Sequence, residues 1–240
     1  MKRTNARWAI VFAAIISSVM IFSSCTSSEP TYTIDNDPTP LQDEPERPEP
    51  ATLTQVEVLR TVDGDTIEIL LDGAKEKLRF IGIDTPESVA SDPSRNVPYG
   101  KVAAEFTKEK LEGQTIRLEF DVQERDQYGR LLAYVYIDDM MFNKMLLDEG
   151  HASVLTTPPN VKYVEVFTAA QKNARDAGRG QWNNSTEAEE SKCIASSRSY
   201  RFHTMTCNGG QQIATKNIIY FSSRDEALDA GFAPCKTCNP

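Results

Sequence analysis

Five short runs alternate apolar with polar side chains between residues 55 and 137, and this period of two restricts that stretch to short half-buried strands. The clearest run sets Ile116, Leu118, Phe120 and Val122 against Arg117, Glu119 and Asp121, so one face belongs to a core. The others are residues 55–60, 66–71, 77–83 and 131–137. Asp72-Gly73 lies between two of them and Asp138-Asp139 follows another, which are turn signals at hairpin spacing.

Helical periodicity appears at residues 99–111 through Val102, Ala103 and Phe106, at 142–149 through Phe142, Met145 and Leu146, and at 161–177 through Val164, Phe167, Ala170 and Ala174. Phe106 and Phe167 are expected in the core. Gly150 and Gly178 fall where a glycine stops the last two helices. Five strands, one helix after the third and two more at the end are compatible with an OB-type barrel, a mainly β fold with helices.

The chain of 240 residues is 40% hydrophobic and 25% charged, which excludes collagen, full disorder and a polytopic membrane protein. Its N-terminus reads as an export signal. Lys2, Arg3 and Arg7 precede an apolar run from Trp8 to Phe22, and Ser23 and Ser24 lead into Cys25. The run is shorter than the roughly 20 residues of a spanning helix. Phe22-Ser23-Ser24-Cys25 resembles a bacterial lipobox, which implies a cleaved signal over residues 1–24, a lipid on Cys25 and an extracytoplasmic protein held at the membrane. An uncleaved anchor and a plain secretory signal are the alternatives.

Residues 25–52 are acidic and proline-rich, with too little apolar surface to offset their ordering entropy, and read as an extended tether. Asn183 to Ser191 lacks an apolar period and reads as a linker. The expected organisation is therefore a body at 53–182 and a tail at 192–240.

Polar clusters mark the strand ends of the body. Asp63-Gly64-Asp65 alone suits a solvated turn. In the segment from Arg79 to Glu87, Arg79 lies an even number of residues from Ile81 and Ile83, so its charge is expected on their apolar side, where it needs partners. Asp84 and Glu87 leave that strand around Pro86, which lets their carboxylates converge with Asp65. Carboxylates with a carbonyl suit a hard cation such as Ca²⁺. Arg130 begins the last strand, and two arginines facing such a site form a receptacle for a phosphate.

Val62-Asp63-Gly64-Asp65-Thr66, Arg79 to Glu87 with Asp84-Thr85-Pro86-Glu87, Tyr99-Gly100 and Asp126-Gln127-Tyr128-Gly129-Arg130 together resemble the staphylococcal nuclease (thermonuclease) family over residues 53–182. The resemblance implies an OB-fold barrel and Ca²⁺-dependent hydrolysis of DNA and RNA, leaving 3′-phosphate ends. It implies that Asp65, Asp84 and the Thr85 carbonyl bind Ca²⁺, that Glu87 orients or deprotonates the attacking water, and that Arg79 and Arg130 grip the scissile phosphate. In place of the tyrosines that pack on the nucleotide in the family archetype, residues 152–160 contain none. A non-catalytic binding module on the same fold is the competing function, disfavoured by the retained acids and arginines. The body is acidic, 16 Lys+Arg against 22 Asp+Glu, so it lacks general attraction for phosphate. His151 is expected to be structural or at the surface rather than catalytic.

With Cys25 assigned to the lipid, Cys193, Cys207, Cys235 and Cys238 all fall in the tail. Small domains need such a staple. Cys235 and Cys238 form a C-x2-C knuckle, and His203 with Cys207 completes a plausible Zn²⁺ set, leaving Cys193 outside it. Two disulfides, for instance Cys193 with Cys207, are the alternative in an oxidising compartment. Tyr200, His203, Cys207, the strand at 217–221, Ser223 to Ala227, Gly231-Phe232, Pro234-Cys235 and Cys238 resemble the zinc-binding domain of Ada. His203 stands where that domain has a cysteine, which argues against methyl transfer and for a structural or nucleic-acid-binding zinc module of small α+β type. Nucleic acid and membrane are the expected partners, with no obligate protein partner.

Overall fold

The structure, a computed structural model, describes residues 53–87, 98–183 and 192–240. The signal, Cys25, the tether and most of the linker lie outside the described residues.

Five strands make the barrel: β1 (Thr54–Asp63), β2 (Thr66–Leu71), β3 (Ala74–Phe80), β5 (Thr115–Glu119) and β6 (Leu131–Ile137). Their order is β3-β2-β1-β5-β6, and parallel pairing of β3 with β6, from Leu78 opposite Leu131 to Phe80 opposite Ala133, closes the sheet on itself. Closure removes the open edges of a flat sheet. Asp72 and Gly73 both take positive φ, 51° and 79°, as the tight turn between β2 and β3 requires. Three two-residue strands complete this part: β4 (Ile83–Asp84), β7 (Met140–Met141) and β8 (Ser153–Val154), with β4 pairing β8.

Helices α1 (Pro98–Leu111), α2 (Phe142–Asp148) and α3 (Val164–Asp176) match the three periodic segments, and Gly150 (φ 71°) and Gly178 (φ 62°) follow the last two with the left-handed conformation expected of stop positions. The core joins Val58, Ile67, Ile69, Leu78, Phe80 and Leu118 to Phe142, Leu146 and Phe167 from the helices, while Phe106 packs on it half-buried. Val102, read into the apolar face of α1, is instead exposed. His151 is structural: its Nδ1 lies 2.8 Å from the Tyr99 hydroxyl and its ring packs on Phe106.

The clearest alternation in the sequence ends earlier than its pattern. β5 stops at Glu119, Val122 is exposed, and Glu119 is buried although its parity places it among the polar residues. The Tyr136 and Tyr163 hydroxyls donate to its carboxylate at 2.7 and 3.0 Å, and Lys162 Nζ pairs with it at 2.5 Å. The residues entering α3 roof that face of the strand and supply the partners a buried carboxylate needs.

In the C-terminal part, β9 (Cys193–Ser196), β10 (Arg201–Thr204), β11 (Ile218–Phe221) and β12 (Ala233–Pro234) form a sheet in the order β11-β9-β10-β12, with the short helices α4 (Asn208–Gln211) and α5 (Arg224–Asp229). Ser223 caps α5 by accepting from the Glu226 amide at 3.1 Å. Its small core borrows Ala174 and Trp182 from the end of the barrel part. Polar contacts extend that seat: Thr156 Oγ1 donates to the Gly231 carbonyl at 2.9 Å, Gln171 Nε2 to the Leu228 carbonyl at 3.1 Å, and Arg175 pairs with Asp229 at 2.7 Å.

Candidate nuclease and zinc sites

The turn between β1 and β2, the exit of β3 and the start of β6 deliver the charged motifs to one cleft of about 630 Å³, lined by Asp65, Arg79, Asp84, Glu87 and Arg130. Gly64 permits the convergence, because a Cβ there would lie 2.8 Å from Thr85 Oγ1. Thr107 of α1 fixes the same turn by donating to the Gly64 carbonyl at 2.7 Å.

Asp65, Asp84 and Thr85 are buried. The Thr85 amide donates to Asp65 Oδ2 at 2.9 Å, and Arg79 Nη2 bridges Asp65 and Asp84 at 3.0 and 3.1 Å. Arg79 is thus half-buried with partners, as an enclosed guanidinium must be, but not for the reason its spacing suggested. β3 ends at Phe80, so Arg79 points away from the core-facing Leu78 and Phe80, and Ile81 and Ile83 lie beyond the strand. Arg130 is held by Asp126 at 2.7 Å and stays one-third exposed towards the cleft. Its guanidinium lies 5.6 Å from the ring centre of Tyr128, an exposed aromatic on the same wall. Residues 152–160 bring no tyrosine to this cleft, whereas Tyr128 brings an exposed ring.

Arg201, Cys235, Lys236 and Thr237 of the C-terminal part also line the cleft, and the charged pair among them, Arg201 and Lys236, was not foreseen there. Arg201 pairs with Asp84 Oδ2 at 3.0 Å, and Lys236 Nζ meets Asp84 Oδ1 at 3.1 Å, the Thr85 carbonyl at 3.1 Å and Glu87 Oε1 at 2.6 Å. Burial pushes the Asp84 carboxyl up, but the charges of Arg201, Lys236 and Arg79 outweigh it and hold the group below the usual carboxylate range. One signal for this seating is in the composition. Residues 192–240 carry six Lys+Arg against three Asp+Glu, the reverse of the acidic barrel.

Two carboxylates and a carbonyl, oxygen donors throughout, fit a hard cation, and a cationic nitrogen already lies against two of the three. The tail offers the opposite chemistry. One donor atom each from His203, Cys207, Cys235 and Cys238 lie within 4.8 Å of one another, a nitrogen and three sulfurs that fit tetrahedral Zn²⁺. Burial and the nearby Arg201 lower the His203 pKa and favour the neutral imidazole a metal needs. Among the described residues no disulfide joins Cys207, Cys235 or Cys238, and Cys193 lies outside the set, buried on β9.

Comparison with known proteins matches residues 77–184 to the family described as "Staphylococcal nuclease homologue" and residues 183–240 to "Metal binding domain of Ada". The chain is 48% identical over 128 residues to a thermonuclease of Staphylococcus hyicus, covering 53% of this chain and 75% of that protein. It is 48% identical over 126 residues to a thermonuclease of Staphylococcus intermedius, covering 52% and 74%. It is 39% identical over 136 residues to Endonuclease YncB of Bacillus subtilis (strain 168), covering 55% and 64%.

Proposed function

The chain belongs to the staphylococcal nuclease family and is a nuclease, and on that premise we propose that it hydrolyses phosphodiester bonds of DNA and RNA with Ca²⁺, leaving 3′-phosphate ends. The observation that carries this reading is the convergence of Asp65, Asp84, Thr85, Glu87, Arg79 and Arg130, from separate segments, around one cleft.

Asp65, Asp84 and the Thr85 carbonyl would hold Ca²⁺, which when bound supplies positive charge against the phosphoryl oxygens. Arg79 and Arg130 would grip the phosphate through paired N–H donors and stabilise the charge that grows on it in the transition state. Glu87 would accept the proton of the attacking water, or orient that water. Tyr128 offers a face for a base beside the phosphate. In the C-terminal part, His203, Cys207, Cys235 and Cys238 would hold Zn²⁺ as a structural staple.

We extend the proposal to the location of the enzyme: export, lipidation at Cys25 and a tether over 25–52 would present the nuclease outside the cytoplasm at the membrane surface.

Hydrolysis by the full chain is to be measured with Ca²⁺ and with chelator, beside Arg130→Ala and Glu87→Ser. The expected result is activity lost with chelator and a kcat lowered about 10²–10³-fold or more in each variant. Equal activity under all four conditions contradicts the assignment.

A further inference from the structure

Lys236 turns its ammonium into the nuclease cleft, donating to the Thr85 carbonyl at 3.1 Å and to Glu87 at 2.6 Å and pairing with Asp84 at 3.1 Å. The Thr85 and Asp84 oxygens are proposed above as cation ligands, and Glu87 is the residue proposed to handle the attacking water. Within this one network of ion pairs the charges balance. Asp65, Asp84 and Glu87 supply three negative charges, and Arg79, Arg201 and Lys236 supply three positive ones. A divalent ion placed on the same oxygens would stand beside the ammonium and be strongly repelled by it.

The position of Lys236 is built rather than incidental. It lies inside the knuckle between the zinc-set residues Cys235 and Cys238. The Cys235 amide donates to the Phe202 carbonyl at 2.9 Å, the Asn239 amide to the Cys235 carbonyl at 2.9 Å, and Arg201 Nη1 to the Pro234 carbonyl at 3.0 Å. The knuckle is therefore tied to β10, and the seat of the C-terminal part on Thr156, Gln171 and Arg175 sets its depth over the cleft.

We propose that Lys236 is a built-in competitor for the divalent cation, so that the zinc knuckle sets the Ca²⁺ concentration at which the nuclease site fills. The proposal rests on the Ca²⁺ reading of the preceding section. Cation binding then requires the Lys236 side chain to withdraw, which also releases Glu87 for water, and the Arg79 guanidinium to turn from Asp65 and Asp84 towards the phosphate. Arg201 holds the other oxygen of Asp84 and need not move.

The test is calorimetric titration of Ca²⁺ into the full chain without substrate, comparing wild type, Lys236→Gln and Lys216→Gln. Lys216 is an exposed lysine outside the cleft lining, and its removal makes the same change in net charge. The expected result is Ca²⁺ affinity about tenfold or more higher for Lys236→Gln, with Lys216→Gln close to wild type. Lys236→Met, which keeps most of the aliphatic stem, gives the same comparison if the Gln variant fails to fold. Equal affinity for all the proteins, or equal gains from both lysine changes, overturns the competition and leaves the Ca²⁺ reading standing. Absence of Ca²⁺ binding in every protein, Lys236→Gln included, overturns the Ca²⁺ reading and the competition together.

Discussion

Asp65, Arg79, Asp84, Glu87 and Arg130 are legible in the sequence because each sits in a short motif whose neighbours shape its own turn. Gly64 brings its loop close to Thr85, and Asp126 holds Arg130 four residues away. Arg201 and Lys236 carry no such mark, since the carboxylates they meet lie more than a hundred residues distant. The spacing argument for Arg79 reached a correct outcome through a strand that ends too early to support it. His151 yields a prediction of its own. Burial between Tyr99 and Phe106 lowers its pKa, opposed weakly by Glu149, so the folded state disfavours the protonated ring. The unfolded chain then binds more protons once the pH falls below about 6.5, and stability present above that value is lost as the pH drops through the folded pKa. Urea unfolding at pH 7.5 and 5.5 is expected to show a smaller acid-side loss in His151→Gln than in wild type. An unchanged difference contradicts this.

Strands and helices follow the hydrophobic period closely, down to the turn at Asp72-Gly73 and the stops at Gly150 and Gly178. The period fails where a second layer covers a polar face. Glu119 reads as solvated, yet Lys162 and Tyr163 close over it and make it the polar tie between β5 and α3. Periodicity records the sheet but not the roof above it. Glu119→Ala leaves the two buried tyrosine hydroxyls with only each other, 3.3 Å apart, and strands Lys162, and is expected to cost about 3 kcal/mol, while Glu119→Gln keeps an acceptor and costs less. Denaturant unfolding of the two variants measures this. A loss within about 0.5 kcal/mol for Glu119→Ala contradicts the tie.

At the scale of the molecule, the sequence marks two regions of unlike composition but not their union. The C-terminal part completes its core with Ala174 and Trp182, and its basic knuckle lies over the acids of the barrel. Charge opposition between the two regions is visible in the residues, whereas the register that brings Lys236 to Asp84 depends on packing along α3 and the segment that follows β8. The account makes this cleft the place where cation, phosphate and attacking water meet. A crystal of the full chain grown with Ca²⁺ and a nucleoside 3′,5′-bisphosphate tests that most directly. The expected density is an ion about 2.4 Å from oxygens of Asp65, Asp84 and Thr85, a phosphate on Arg79 and Arg130, and Lys236 withdrawn. A phosphate bound away from both arginines, with no ion on those oxygens, contradicts the account.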